Sequence, residues 1–405
     1  QGQFGFRLAA STTNWYIGFL TAATDVRVSY YTGGAWFANG HIVETVATNS
    51  ANEGVGFAYD STGDNFYISY ANTPAAATGT VGNDMKVGSG TTSELVTGGT
   101  AGTLITEVID NMYSAFPTTA VPMLSSAIAS NGTVGYAYFF QDATVADSRL
   151  YYGIRSGTTT APIFAQNIVT SHMEGGASPL FVGSYPSLAY DSSSNPIIAF
   201  YNGVAAEQNL NVARSFNGGV SFNVVTVDNK TGSSTNLGQY PSVSTYGTAI
   251  GIAYYDVTNT GLKFARWTPT YGWRRFSVDG LTGTGSCGNA SDDSGKYAKL
   301  AFTSDGRPVI AYQSNGRLKI AYASDAVTST TYSWTCAAID TSGSNRGEGI
   351  DLKLTSENVP HIVHFDSTSG SIRYVKATSA ISSVISTPSS FSAEVVGGTG
   401  TTTAI

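Results

Sequence analysis

The 405-residue sequence has little charge, little sulfur and no long apolar run. Only 12% of its residues are Asp, Glu, Lys or Arg, and the net charge is −7. A nucleic-acid partner requires a basic footprint, so that class is excluded. Nowhere do about 20 apolar residues run together, so no membrane-spanning helix is predicted. The four histidines are scattered. His361 and His364 stand three apart, which on a strand sends them to opposite faces. There is no EF-hand loop, Walker loop or Gly-x-Ser-x-Gly elbow. His172 with Glu174, and Asp292 with Asp293, come nearest to a cation site, and solvated loop charge accounts for both. No metal and no cofactor is expected. The first residues carry no secretory leader, which reads as a mature or trimmed chain.

Only two cysteines occur, Cys287 in a long Ser/Gly loop and Cys336 in Ser333-Trp334-Thr335-Cys336. Two buried thiols are one reading. A disulfide is the other, closing a loop of about 50 residues and worth about 4 kcal/mol in the chain-entropy model. The Thr/Ser/Gly-rich composition favours the disulfide and an oxidising compartment, so the chain is placed outside the cytoplasm, secreted or at a cell surface.

What the sequence has in abundance is glycine (46), tyrosine (24) and repetition. Short apolar strands recur seven times: Trp15 to Phe19, Phe66 to Tyr70, Val134 to Tyr138, Pro196 to Tyr201, Ile250 to Tyr255, Pro308 to Tyr312 and Pro360 to Phe365. Each is β-branched or aromatic and bounded by turn residues. A third strand follows each, clearest in Leu210-Asn211-Val212-Ala213, Leu262-Lys263-Phe264-Ala265, Leu318-Lys319-Ile320-Ala321 and Ile372-Arg373-Tyr374-Val375. The positions leading into each unit are Gln3, Gly54, Val121, Tyr185, Tyr240, Tyr297 and Gly349, spaced 51 to 67 residues apart. Repetition at that period predicts a propeller or solenoid. Four short strands per unit select an all-β, seven-bladed β-propeller with four antiparallel strands per blade. Paired β-sandwiches are the alternative, but they impose no sevenfold pattern. The blades fall at about 3–50, 51–115, 116–172, 180–230, 236–281, 293–341 and 347–398, one domain over 1–405. A Gly/Thr-rich tail over 397–405 reads as flexible.

One turn carries a family resemblance. Ser215-Phe216-Asn217-Gly218-Gly219-Val220-Ser221-Phe222 resembles the Asp box, Ser-x-Asp-x-Gly-x-Thr-Trp, of sialidase-like BNR-repeat propellers. Ser215, Asn217, Gly219 and Phe222 hold the defining positions, with Asn217 in place of Asp. Tyr271-Gly272-Trp273, Thr32 to Trp36, and Ser324-Asp325 with Ser333-Trp334 are eroded forms. The resemblance implies a structural turn away from the active site. Sialidases of this family also use three arginines, a Tyr–Glu nucleophile pair and an Asp acid/base. Phe6-Arg7-Leu8-Ala9 is similar to their Phe-Arg-Ile-Pro motif, and Arg346 is a second candidate. A third arginine finds no place. A glycosidase also needs two carboxyl groups about 5–10 Å apart. Glu53, Glu174, Asp292, Asp293 and Glu348 fall near the expected channel mouth, and solvated loop charge is the simpler account of them.

Three successive units begin Gly183-Ser184-Tyr185, Gly238-Gln239-Tyr240 and Gly295-Lys296-Tyr297. In a propeller these tyrosines ring one end of the channel. They either wedge between blades or offer aromatic faces and hydroxyls to a ligand. The long polar loops Ser171 to Ser184, Asn229 to Gln239, Gly280 to Lys296 and Thr341 to Glu348 surround them. Candidate ligand residues are therefore Arg7, Tyr185, Tyr240, Tyr297, Lys296, Arg346 and Glu348. No catalytic residue is assigned. The expected function is an adhesin- or lectin-like recognition module for a glycan or surface protein. The alternative is a sialidase-like glycoside hydrolase acting at the channel mouth. Asn131, Asn229 and Asn289 stand in glycosylation sequons.

Overall fold

The computed structural model describes residues 6–10, 14–20, 25–32, 35–37, 40–45, 55–72, 83–96, 105–112, 124–142, 147–158, 161–173, 182–204, 207–229, 235–280, 287, 291–340, 345–381 and 390–398. They form seven antiparallel sheets, each built from consecutive strands. Blades two to seven have four strands in sequence order, and blade one carries its outer strand in two pieces, Ala35–Trp36 and His41–Thr45. The one helix among the described residues is the single turn Thr92–Val96.

The innermost strand of each sheet touches those of both neighbours. Phe6–Ala10 of blade one touches both Gly56–Asp60 of blade two and Arg346–Leu354 of blade seven, so the ring closes. The chain is a seven-bladed β-propeller. Burial follows the radius. The second strands Pro196–Asn202, Ala249–Asp256, Pro308–Ser314 and Pro360–Asp366 are buried throughout, whereas the outer strand Asn223–Asp228 is exposed over its first four residues. A second strand packs neighbouring sheets on both faces, which is why it reads as an unbroken apolar run. Core packing divides into seven principal clusters, one per junction. The junction of blades seven and one holds Ile17, Phe19, Val363, Phe365 and Tyr374.

Polar bridges also cross the junctions. Opposite the leucine that begins a third strand, the outer strand places an acid: Leu210 faces Asp228, Leu262 faces Asp279 and Leu318 faces Asp340. Each acid reaches the next blade. Asp228 accepts from Tyr254 Oη at 2.6 Å and pairs with Lys263. Asp279 accepts from Tyr312 Oη at 2.6 Å and from Lys319 Nζ at 2.5 Å. Asp340 takes His364 Nε2 at 3.2 Å and Arg373 Nε at 2.8 Å. Blade three has Thr170 at the acid position, and blade four answers with Phe200 and Asn211. Blade seven has Gly397 there, and blade one presents Phe19. Where the acid is missing, the polar side chain on the next blade's second strand is missing too.

Cys287 and Cys336 form a disulfide, tying the loop before blade six to that blade's outer strand. The Ser215 turn is cross-linked: Ser215 Oγ accepts from the backbone N–H of Asn217 (3.2 Å) and Gly219 (2.8 Å). Asn217 Oδ1 accepts from the Ser221 N–H at 3.0 Å. Phe222 packs edge-on against Tyr152 of blade three. Residues 397 and 398, expected in the tail, end the strand Phe391–Gly398; 399–405 lie outside the described residues.

Candidate binding site

The tyrosine pattern folds as a repeated double bulge. In the innermost strand Val182–Tyr190, pairing to the second strand slips between Val182 and Ser184 and again between Ser184 and Ser187. Leu237–Tyr246 and Ser294–Phe302 slip at matching places. The glycine of each motif has positive φ and lies against the leucine opening the preceding blade's third strand. A Cβ on Gly183 would stand 2.6 Å from Leu150, and one on Gly238 2.6 Å from Leu210. Two residues later Tyr185, Tyr240 and Tyr297 take φ of 55°, 51° and 56°, the left-handed region that L side chains rarely adopt. Blade seven places Gly349 there with φ 57°.

These turns bring the three tyrosines side by side across blades four, five and six. Ring centres are 4.7 Å apart for Tyr185–Tyr240 and 4.8 Å for Tyr240–Tyr297. All three are half-buried. Burial raises their pKa values, assisted by neighbouring phenols and, at Tyr297, by Glu348; Tyr297 is pushed up to about 12 and the others higher. Their hydroxyls are therefore neutral donors at any physiological pH.

The other candidates lie around this arc in different states. Lys296 Nζ pairs with Asp293 at 2.5 Å and sits over the Tyr255 ring. Tyr255 Oη donates to the same Asp293 at 2.6 Å. Asp292 accepts from Asn315 Nδ2 at 2.8 Å. Glu348 accepts from Ser367 Oγ at 2.8 Å and remains part-exposed. Arg346 is buried, with Nη1 2.6 Å from Asp340 and Nη2 3.1 Å from Asp366. Its charge is spent inside the blade-six/blade-seven junction. Burial opposes ionisation of Asp340, but donors from His364, Arg373 and Arg346 outweigh it and hold the carboxyl below the usual range. Arg7 sits on Phe6–Ala10 opposite Gly18; its side chain lies outside the described residues, as do Glu53, Glu174, Asn289, Gln3, Gly54 and Val121.

Among the described residues no group of three His, Cys, Asp or Glu is placed to hold a metal. His361 and His364 do point to opposite faces, one stacked on Trp15 of blade one and the other bonded to Asp340 of blade six. The opposite face of the ring carries the first-to-second and third-to-fourth strand turns. There a cavity of about 680 Å³ opens on the axis, bounded by Ser126, Tyr190, Thr245 and Lys353, and no arc tyrosine lines it. The bridging acids escaped sequence reading, because Asp228, Asp279 and Asp340 come to lie opposite a third-strand leucine only once register is known.

No family model matches the chain, and no curated protein matches it. Solved structures share its fold. Prolyl oligopeptidase B from Galerina marginata is 11% identical, with a TM-score of 0.50 over 97% of this chain and 52% of that one, so this chain spans about half its length. The SapL1 lectin in complex with alpha methyl fucoside is 11% identical with a TM-score of 0.46, covering 84% of this chain and 97% of that one. An alpha-L-arabinanase of Penicillium chrysogenum complexed with arabinobiose is 12% identical with a TM-score of 0.48, covering 76% and 88%. At these identities the likeness concerns the fold alone. Among the described residues no helix is long and apolar enough to cross a membrane.

Proposed function

We propose that the chain is an extracytoplasmic recognition module that binds glycan through the tyrosine arc. One observation carries this reading. Three bulky residues occupy a left-handed backbone position that blade seven fills with Gly349. Such strain costs about 1–3 kcal/mol per residue and clusters at functional sites. Tyrosine is retained where glycine suffices for the turn, so its ring is what the position keeps. A contiguous, half-buried arc of phenols offers apolar faces to sugar C–H groups and neutral hydroxyls to sugar oxygens. Lys296, Asp293 and Glu348 edge the arc and set which substituents fit. The disulfide supports a secreted or cell-surface location. The cross-linked Ser215 turn supports kinship with Asp-box propellers.

A glycan array tests the reading. The intact chain is expected to retain a restricted set of glycans, and a Tyr185→Ala/Tyr240→Ala/Tyr297→Ala variant is expected to retain none of them. An array without signal sinks the proposal, and selective capture of a protein ligand instead would replace it. Turnover of a fluorogenic sialoside, lost in Arg7→Ala, would favour a hydrolase.

A further inference from the structure

We infer that a recess between blades five and six, on the face opposite the tyrosine arc, is a second binding site for an acidic sugar of the uronic-acid class. The recess has a volume of about 360 Å³ and is lined by Tyr246, Thr248, Thr268, Thr270, Tyr271 and Thr328, among others. That volume lies within the range of small-ligand pockets, about 300–1,000 Å³. Tyr240 and Tyr246 share one innermost strand, six residues apart, so the two sites are separated by about 20 Å.

Charge decides the ligand class. Arg266 is fully buried, with Nη1 donating to Thr268 Oγ1 at 2.9 Å and Nη2 to the Ser329 carbonyl at 2.7 Å. Its Nε has no partner, and no carboxylate among the described residues pairs with it. Nearby Asp325 is engaged by the Ser333 N–H and Ser324 Oγ. Arg274 lies directly opposite Arg266 in the strand pairing. Like charges facing each other across a ladder destabilise it, and a buried cation without a counter-ion is costly. Both guanidinium groups sit over the Tyr271 ring, at 5.2 and 5.1 Å. Tyr271 and Thr268 are walls of the recess, and none of the residues lining it is acidic. The recess therefore holds a positive potential, focused by its low-dielectric walls.

Shape and hydroxyls narrow the class further. Tyr246 is 38% exposed and Tyr271 47% exposed, so two aromatic surfaces meet solvent there. Thr248, Thr270 and Thr328 have no hydrogen-bond partner among the described residues. A carboxylate answers exposed Arg274 beside the Tyr271 wall, in the field of buried Arg266; ring hydroxyls answer the threonines, and an apolar sugar face answers the tyrosines. An acidic monosaccharide unit combines all three.

The test is calorimetric titration of the full chain with methyl β-D-glucuronoside and with its neutral counterpart, methyl β-D-glucoside. The glucuronoside is expected to bind at least about tenfold more tightly, as one charge-assisted contact allows. Its affinity is expected to fall as salt rises through the screening range. Arg274 and Thr328 are exposed, so changing them spares the core. Arg274→Gln is expected to remove most of the preference for the acid, and Thr328→Trp to fill the recess and abolish binding. Equal affinity for the two glycosides overturns the charge assignment. Absence of binding, or full binding in Thr328→Trp, overturns the site. The arc lies on the other face, so its array signal stands or falls separately.

Discussion

At the scale of single residues, the arc tyrosines show what a strained position implies. Replacing Tyr240 by alanine keeps a Cβ in the left-handed region, whereas glycine relieves the strain. The usual order of the two substitutions should therefore invert. Urea denaturation is expected to show Tyr240→Gly more stable than Tyr240→Ala by about 1 kcal/mol or more; the ordinary order would mean that the position is unstrained. The Gly-x-Tyr repeat itself was legible, because three copies stand in the sequence. The bulge that turns each tyrosine toward its neighbour was not, because it depends on how closely Gly238 must approach Leu210 in the preceding blade. Arg346 shows the same limit. Its type and place suggested a ligand contact, and only the register of Asp340 and Asp366 reveals that its charge is already paired.

At the scale of elements, the bridges between blades join an acid at the end of one sheet to partners in the next. Tyr254 and Tyr312 are held protonated by burial and then by the acids they serve, Asp228 and Asp279. Asp279 is fully buried, and Asp279→Ala removes the nearer of Lys319's two carboxylates, leaving only Asp292 at 3.7 Å. Breaking such a pair costs about 3–5 kcal/mol. Adding Lys319→Met is expected to recover part of that loss in a double-mutant cycle; additive losses would show that no coupling exists. Strand types were readable from apolar runs such as Pro308 to Tyr312. The bridges were not, since Asp279 and Lys319 lie 40 residues apart. Register alone turns the acid missing at Thr170 and the polar group missing at Phe200 into a pattern.

At the scale of the molecule, stability is shared among seven junctions and one closure. The junction of blades seven and one includes Trp15 stacked on His361, with ring centres 3.7 Å apart. His361 is held down to about 3, first by burial and then by Lys376. The unfolded chain takes up this proton near pH 6.5 and the folded chain does not until about pH 3. The folded state thus loses this contribution progressively as pH falls from about 6.5 to 3. His361→Phe is expected to flatten that part of the stability profile, and an unchanged slope would remove His361 from the acid response. Reduction of Cys287–Cys336, or the Cys287→Ser/Cys336→Ser variant, is expected to cost about 4 kcal/mol in the chain-entropy model, read as a lowered urea midpoint. The sevenfold repeat made the ring legible in advance. The second face was not legible, because Arg266 and Arg274 belong to different strands and become opposed only in the folded sheet.

The most direct measurement is a titration of the best array glycan against the intact chain and Tyr240→Gly, with a melting curve for each. Binding through the arc predicts at least about a tenfold loss of affinity, equivalent to 1.4 kcal/mol, with melting nearly unchanged. Equal affinity in the two chains would contradict it.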